Sequence, residues 1–261
     1  MYIDVHCHLT GGDYESVGGV AAVVERAKQA GVERMICSGC DLDCSFEGAA
    51  IARQYESVYF CTGFHPAELK KYKEGDLERL ESLCSDPKCV AVGEIGLDYH
   101  YEDNPPKEVQ RELFIKQLEM AYRNGLPVVI HSRDAAGETL ELLQQHQTLL
   151  KYGALLHCYS YSSEMAERFG AMGMYFSFGG PSTFKNARKV LESVQRIPAT
   201  RILSETDCPF LTPEPHRGQF PNEPRHIPHI TARLAQLKGM DEAEMQKQIY
   251  ENAKRLFFKL Q

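Results

Sequence analysis

The sequence predicts an α/β fold of the (β/α)8 TIM-barrel class, formed by a single domain over residues 1–261. Eight short β-rich runs alternate with helical patterns along a chain of 261 residues, a length that is common for such barrels. Several runs, such as 128–130, are continuously apolar, as expected of parallel strands that are buried on both faces. An open, doubly wound sheet is the competing architecture. It would gather its ligands at one switch point, whereas candidate ligands here follow five different strands.

The alternation of strands and helices can be followed along the whole chain. The predicted strands are 1–6, 33–38, 57–62, 89–94, 126–131, 153–157, 173–178 and 201–205. The predicted helices are 17–30, 43–55, 75–84, 106–124, 135–147, 162–170, 183–195, 226–238 and 241–258. Asp241, followed three residues later by Glu244, resembles the capping box that begins many helices. The segment 209–228 carries six prolines, which predicts either a rigid loop over the barrel mouth or a plain surface loop.

Charge and composition limit the functional classes. The net charge of −7 lacks the basic footprint of proteins that bind long duplexes, although bound cations could supply positive charge locally. No apolar stretch of about 18 residues predicts a transmembrane helix, and the N-terminus enters a strand without a signal-peptide pattern. The nine cysteines are scattered, so Cys37-x-x-Cys40 is interpreted as structural. We therefore expect a cytoplasmic protein without membrane contact or an obligate protein partner.

Six side chains of metal-binding type lie at or just after the ends of five predicted strands. They are His6, His8, Glu94, His131, His157 and Asp207. Alternate residues of a strand share a face, so His6 and His8 can point at one ion. A carboxylate that closes an apolar strand, as Glu94 is expected to do, is costly to bury unless it is paired or metal-bound. Each histidine alone could be a hydrogen-bonded core residue, but the set together predicts a two-metal hydrolase site.

The chemistry of this set favours an anionic substrate. Two divalent cations would outweigh the two carboxylates and leave a site that suits a phosphate. Mixed imidazole and carboxylate ligands suit zinc, manganese, cobalt or iron, whereas magnesium is less well matched. Glu205 could support the ligands from behind or form a surface ion pair.

Three arginines and two tyrosines could contact such a substrate. Arg133, Arg217 and Arg225 are candidate phosphate clamps, or ordinary surface residues. Tyr99 and Tyr159 could stack on a base, but core packing is the default interpretation for either.

The motifs together resemble the TatD family of metal-dependent deoxyribonucleases. They are Asp4-x-His6-x-His8, 62–66 (TGFHP), 93–99 (GEIGLDY), 130–133 (IHSR), 157–159 (HCY), 205–209 (ETDCP) and 222–224 (NEP). The resemblance extends from residue 2 to Phe257, and Cys208 departs from it where many relatives have serine. It implies a metallohydrolase barrel of the amidohydrolase superfamily that cleaves DNA phosphodiesters, with single-stranded 3′ ends favoured.

The resemblance also implies roles for individual residues. His6, His8, Glu94 and Asp207 would hold one divalent ion. Glu94, His131 and His157 would hold the other, so that Glu94 is shared. His65 would contact the scissile phosphate. Asp207 would accept the proton of the attacking water and deliver it to the leaving 3′ oxygen, directly or through His65.

Three alternatives remain open at this point. An amidohydrolase that cuts a small C–N or ester substrate is one, but many such barrels bridge their metals with a modified lysine, and here the fourth strand carries Glu94. A catalytically silent metal-binding barrel is the second, against which the complete ligand set argues. A phosphoesterase of the polymerase-and-histidinol-phosphatase type shares the H-x-H opening but would require more histidine ligands.

Overall fold

A computed structural model, which describes residues 1–260, confirms the barrel. Within that range, eight parallel strands are hydrogen-bonded in sequence order from β1 to β8. The strands are β1 (Tyr2–Cys7), β2 (Val32–Cys37), β3 (Val58–Thr62), β4 (Cys89–Asp98), β5 (Val128–Arg133), β6 (Ala154–Leu156), β7 (Tyr175–Phe178) and β8 (Ile202–Ser204). The predicted domain ends at Gln261, which lies outside the described residues.

Helices follow the strands and cover the outside of the barrel. They are α1 (Gly19–Gln29), α2 (Leu42–Gln54), α3 (Asp76–Leu83), α4 (Lys107–Arg123), α5 (Ala136–Gln145), α6 (Ser163–Gly170), α7 (Arg188–Arg196), α8 (Ile227–Lys238) and α9 (Glu242–Leu256). Helix α7 begins five residues later than predicted, because Gly180–Thr183 forms a separate 3-10 turn and Phe184 has extended angles (φ −80°, ψ 134°). The predicted cap of α9 is present, since the Asp241 carboxylate accepts a hydrogen bond from the Ala243 amide at 2.8 Å. No helix within residues 1–260 is both long and apolar enough to cross a membrane.

The first strand meets the chain that follows the last strand at the carboxyl end of the barrel. The amide of Asp207 donates to the carbonyl of His6 at 3.0 Å, and the amide of His8 donates to the carbonyl of Cys208 at 2.8 Å. Asp4, which is fully buried, accepts hydrogen bonds from the amide and hydroxyl of Thr206 at 3.0 and 2.5 Å. These bonds place three of the predicted metal ligands side by side.

Strand β4 runs four residues further than predicted, to Asp98, so the expectation that Glu94 closes the strand was wrong. The extension pairs Gly96 with His131 on β5. Gly96 has a φ of 145°, and a Cβ atom there would overlap the carbonyl of His131. A Cβ atom at Gly93 would lie 2.6 Å from that of Val129. Both positions therefore require glycine, because β4 and β5 approach too closely for a side chain.

Candidate metal centre

Four of the predicted ligands surround one point at the carboxyl end of the barrel. They contribute Nε2 of His6, Nε2 of His8, Oε2 of Glu94 and Oδ1 of Asp207. Five distances among these atoms lie between 3.2 and 3.7 Å. Tetrahedral ligands placed about 2.1 Å from a metal are separated by about 3.4 Å. The four atoms are therefore spaced as the ligands of one ion.

The other oxygen of Glu94 faces a second set of nitrogens. Oε1 of Glu94 lies 2.8 Å from Nδ1 of His131 and 2.7 Å from Nε2 of His157. These two nitrogens are 3.2 Å apart. Because the two oxygens of one carboxylate serve different sets, Glu94 can bridge two ions. We refer to the six predicted ligands together as the metal centre.

Buried polar groups lie behind three of the four imidazoles of the metal centre. Oγ of Ser38 lies 3.0 Å from Nδ1 of His6, and Oδ2 of Asp98 lies 3.1 Å from Nε2 of His131. Oε1 of Glu205 is 3.8 Å from Nδ1 of His157, and Glu205 is fully buried. Glu205 therefore lies behind His157 and is not part of a surface ion pair. Partners of this kind fix the orientation and tautomer of a ligating imidazole.

Asp98 was missed by the sequence interpretation. It lies four residues after Glu94 on the same strand, and residues at i, i+2 and i+4 of a strand share a face. That periodicity was a usable signal, but only if the strand was known to continue past Glu94.

We expect Asp98→Ala to lower metal affinity by roughly 10- to 100-fold, the usual effect of removing such a partner. Titration of the metal-free protein with zinc would measure it. Asp103→Ala is the control, because the side chain of Asp103 is 86% exposed and pairs with Lys70. Equal affinities in the two variants would show that Asp98 does not orient His131.

The electrostatics of the metal centre suit cation binding. Burial raises the pKa of Glu94, but the nearby imidazoles, His157 foremost, outweigh it and hold that pKa well below its usual range. Burial alone would lower the pKa of His8, yet hydrogen bonding to Asp207 and the charge of Glu94 raise it to about 9. Against the effect of burial, the pKa of Asp207 is also lowered, by hydrogen bonding to His8 and by the charges of the nearby imidazoles, so both carboxylates are ionised at neutral pH and a metal ion would have to displace a proton from His8.

A cavity of roughly 450 Å³ opens onto the metal centre; we call it the mouth cavity. Its further lining includes Thr10, Gly11, Asp13, Cys40, His65, Glu68, Asp98, Tyr101, Arg133, Pro209 and Phe210. Among the described lining residues, five carboxylates face one guanidinium. Without bound cations the cavity would repel a phosphodiester, so a phosphodiester substrate requires the metal ions for binding as well as for catalysis.

His65 presents a hydrogen-bond donor to the mouth cavity. Its Nδ1 accepts a hydrogen bond from the amide of Ala67 at 3.1 Å, and its Nε2 lies 3.5 Å from Oε1 of Glu94. Burial lowers the pKa of His65 to about 3, so the ring is neutral at neutral pH. A neutral ring whose Nδ1 accepts a bond carries its proton on Nε2, the nitrogen that lies beside Oε1 of Glu94.

The structure separates the three candidate arginines. Arg133 lines the mouth cavity. Arg217 lies elsewhere, with its guanidinium 4.0 Å from the centre of the Phe184 ring, and Nε of Arg225 is 3.5 Å from Glu223. The structure therefore brings Arg133 to the predicted site and does not bring Arg217 there.

The aromatic residues at the mouth cavity also differ from those considered first. Tyr159 is buried and donates a hydrogen bond to the carbonyl of Ser162 at 2.7 Å, in agreement with a core role. Tyr101 and Phe210 line the cavity instead, although they are 52% and 56% exposed. Of the proline-rich segment, Pro209 and Phe210 border the mouth, as one interpretation of that segment predicted.

Comparison with known proteins decides the family. The family model described as TatD related DNase matches residues 3–258. The chain belongs to the TatD family. A relative from Bacillus subtilis, named "Uncharacterized metal-dependent hydrolase YabD", is 40% identical over 257 residues, which cover 98% of this chain and 99% of the relative. The "3'-5' ssDNA/RNA exonuclease TatD" of Cronobacter sakazakii is 36% identical over 243 residues, which cover 91% of each chain.

A solved structure of the same family shares the fold. The crystal structure of YJJV, a TatD homolog from Escherichia coli, superposes with a TM-score of 0.92 at 32% identity, and the match covers 98% of each chain. The TatD-family chain described here is therefore a metal-dependent hydrolase on a TIM barrel.

Proposed function

We propose that this TatD-family hydrolase is a deoxyribonuclease that removes nucleotides from the 3′ ends of single strands, using two divalent metal ions. The observation that carries the proposal is the convergence of two ligand sets on Glu94 at the floor of an open, acidic cavity. A relative at 36% identity that bears the name of a 3′-5′ single-strand exonuclease supports it. Mixed imidazole and carboxylate ligands suit Zn²⁺, Mn²⁺, Co²⁺ or Fe²⁺ better than Mg²⁺.

Each group of the site has a distinct role in this proposal. The ions, when bound, neutralise the charge of the phosphodiester and make water a better nucleophile. The carboxylate of Asp207 would accept the proton of the attacking water and pass it to the leaving 3′ oxygen, while the Nε2–H group of His65 would donate a hydrogen bond to a phosphate oxygen. The planar guanidinium of Arg133, at the rim of the mouth cavity, can donate two hydrogen bonds to a neighbouring phosphate.

The shape of the mouth cavity favours a single strand. A phosphate must contact the metal centre directly for reaction, and a base-paired duplex cannot enter a cavity of roughly 450 Å³ without opening. Tyr101 and Phe210 expose their rings at its rim. Exposed aromatic rings beside a phosphate site are typical platforms for unpaired bases.

We expect Tyr101→Ala and Phe210→Ala each to raise KM for a single-stranded oligonucleotide more than they lower kcat. Loss of one base stack costs about 1–3 kcal/mol, or roughly 5- to 150-fold in affinity. Phe258→Ala is the control, since Phe258 is similarly exposed at 53% but does not line the cavity. If all three variants keep the KM of the wild type, the rings do not bind bases.

The decisive test compares a linear single-stranded oligonucleotide with a covalently closed circle of the same sequence. We expect nucleotides to be released from the linear strand only, with a labelled 5′ end appearing last in the products. A chelator should abolish the reaction, and a divalent ion should restore it. Equal initial rates on both substrates would leave an endonuclease, and no hydrolysis of either would favour a small C–N or ester substrate. An oligoribonucleotide of the same sequence, tested under the same conditions, would show whether the rate of hydrolysis depends on the sugar.

A further inference from the structure

Three histidines cluster outside the metal centre. The chain has ten histidines, and five of them belong to the metal centre and its His65 neighbour. His216, His226 and His229 come together elsewhere, with one ring nitrogen from each lying within 4.8 Å of the other two. This three-histidine cluster joins the proline-rich segment 209–228 to the start of α8.

The rings of the three-histidine cluster are spaced like those of the metal centre. Their centroids are separated by 4.7, 5.3 and 6.0 Å. Two pairs of metal-centre rings, His6 with His8 and His131 with His157, have centroids 5.0 and 5.4 Å apart. Imidazoles that bind one tetrahedral ion through nitrogens at about 2.1 Å have centroids roughly 5 Å apart. The spacing of the cluster is therefore that of rings around a shared ion.

The three side chains combine one fixed ligand with two that can adjust. His226 is 4% exposed and ends a 3-10 turn, Pro224–His226. His229 is exposed and lies in the first turn of α8. His216 is partly exposed in a loop turn, where its amide donates to the carbonyl of Pro213 at 2.8 Å. The three nitrogens already lie within 4.8 Å of one another, and small rotations of the two outer side chains can bring them to the separation of about 3.4 Å that a tetrahedral ion requires.

A carboxylate also lies beside the three-histidine cluster. Glu214 lines the same surface depression as His229, which brings a carboxylate to this side of the cluster.

We propose that His216, His226 and His229 form a third metal site that binds a single ion of the zinc type. Three imidazoles with an open fourth position match a zinc site, and imidazole also suits copper and nickel, whereas magnesium and calcium prefer oxygen. The ion would tie the loop to α8. Because Phe210 on the same loop borders the mouth cavity, the ion would also steady one wall of that cavity.

Metal counting tests the proposal. Metal-free wild type, His216→Gln/His229→Gln and His146→Gln are loaded with excess Zn²⁺ and freed of unbound metal on a desalting column, and the bound zinc is measured by mass spectrometry. We expect the double variant to retain one equivalent fewer than the other two. His146 is a partly exposed histidine outside both clusters and is the matched control. Equal zinc content in all three proteins would overturn the proposal.

A second measurement excludes misfolding as the cause of a lower zinc content. It also makes the test of the third site independent of the nuclease proposal. His229→Gln alone changes an exposed side chain and should fold normally, yet it should weaken the extra zinc site by at least about 10-fold. The zinc content of each protein is then measured again in a version that also carries Glu94→Ala, so that the metal centre is disabled in all of them. The difference of one equivalent should persist there. Its absence would reject the third site without bearing on nuclease activity.

Discussion

Glu94→Ala is expected to remove both metal ions and the hydrolase activity in one step. Each oxygen of Glu94 faces a separate ligand set at 2.7–3.7 Å, so the substitution breaks the bridge between them. It also leaves His131 and His157 without their shared negative partner. We expect the rate to fall at least about 1,000-fold, beyond the 10- to 100-fold effect typical of residues that only orient a ligand.

Metal content and initial rate, measured on the same preparation, check this expectation. Glu68→Ala is the matched control, because Glu68 is another carboxylate of the mouth cavity but its side chain is 35% exposed and pairs with Lys71. It should keep both ions. If Glu94→Ala binds two ions as tightly as the wild type does, Glu94 is not the bridge.

His65→Ala separates substrate contact from metal binding. His65 lines the mouth cavity and its Nδ1 accepts a hydrogen bond from the Ala67 amide, so in the proposed mechanism its Nε2 proton is donated in a hydrogen bond to substrate and the ring offers no lone pair to an ion. Removing one such donor typically costs 100- to 1,000-fold in rate, or about 2.7–4 kcal/mol. We expect a loss of that size in kcat with both ions retained.

The pH profile adds a second check on His65. Because burial lowers the pKa of His65 to about 3, its ring stays neutral from about pH 5 upward, and no loss of rate over that range should arise from its protonation. His100→Ala is the control, since His100 is an exposed histidine that pairs with Asp134 at 2.7 Å. Loss of one ion in His65→Ala would contradict the role assigned to His65.

The metal ligands could be predicted from the sequence because the order of the strands is enough to bring their ends together. Parallel strands of a barrel end on one face, so residues such as His131 and His157, which follow apolar runs, converge even though 26 positions separate them. The alternation of His6, on β1, with His8, just after it, is likewise local information. In both cases a pattern within a few residues determined where the side chain points.

The features that were missed depend on contacts between distant segments. Strand β4 continues past Glu94 because Gly96 allows the backbone of His131 to approach, and Asp98 reaches its partner only through that extension. The sequence predicts Arg217 as a candidate phosphate clamp, but the path of its loop places the guanidinium over the ring of Phe184. Periodicity within one segment carries no information about how closely β4 approaches β5 or about where a loop places Arg217.

The hydrogen bonds between β1 and the chain after β8 link metal binding to the folding of the whole barrel. The first predicted metal ligand is residue 6 and the last is residue 207. The backbone amide of Asp207 donates a hydrogen bond of 3.0 Å to the carbonyl of His6 and holds the two residues together. An unfolded chain, or a nascent chain that has not yet reached β8, cannot present the complete set. Ions that bind only the closed barrel stabilise it by about 4 kcal/mol at a free concentration 1,000 times Kd. The supply of metal should therefore set the thermal resistance and the cellular lifetime of this enzyme, and not its turnover alone.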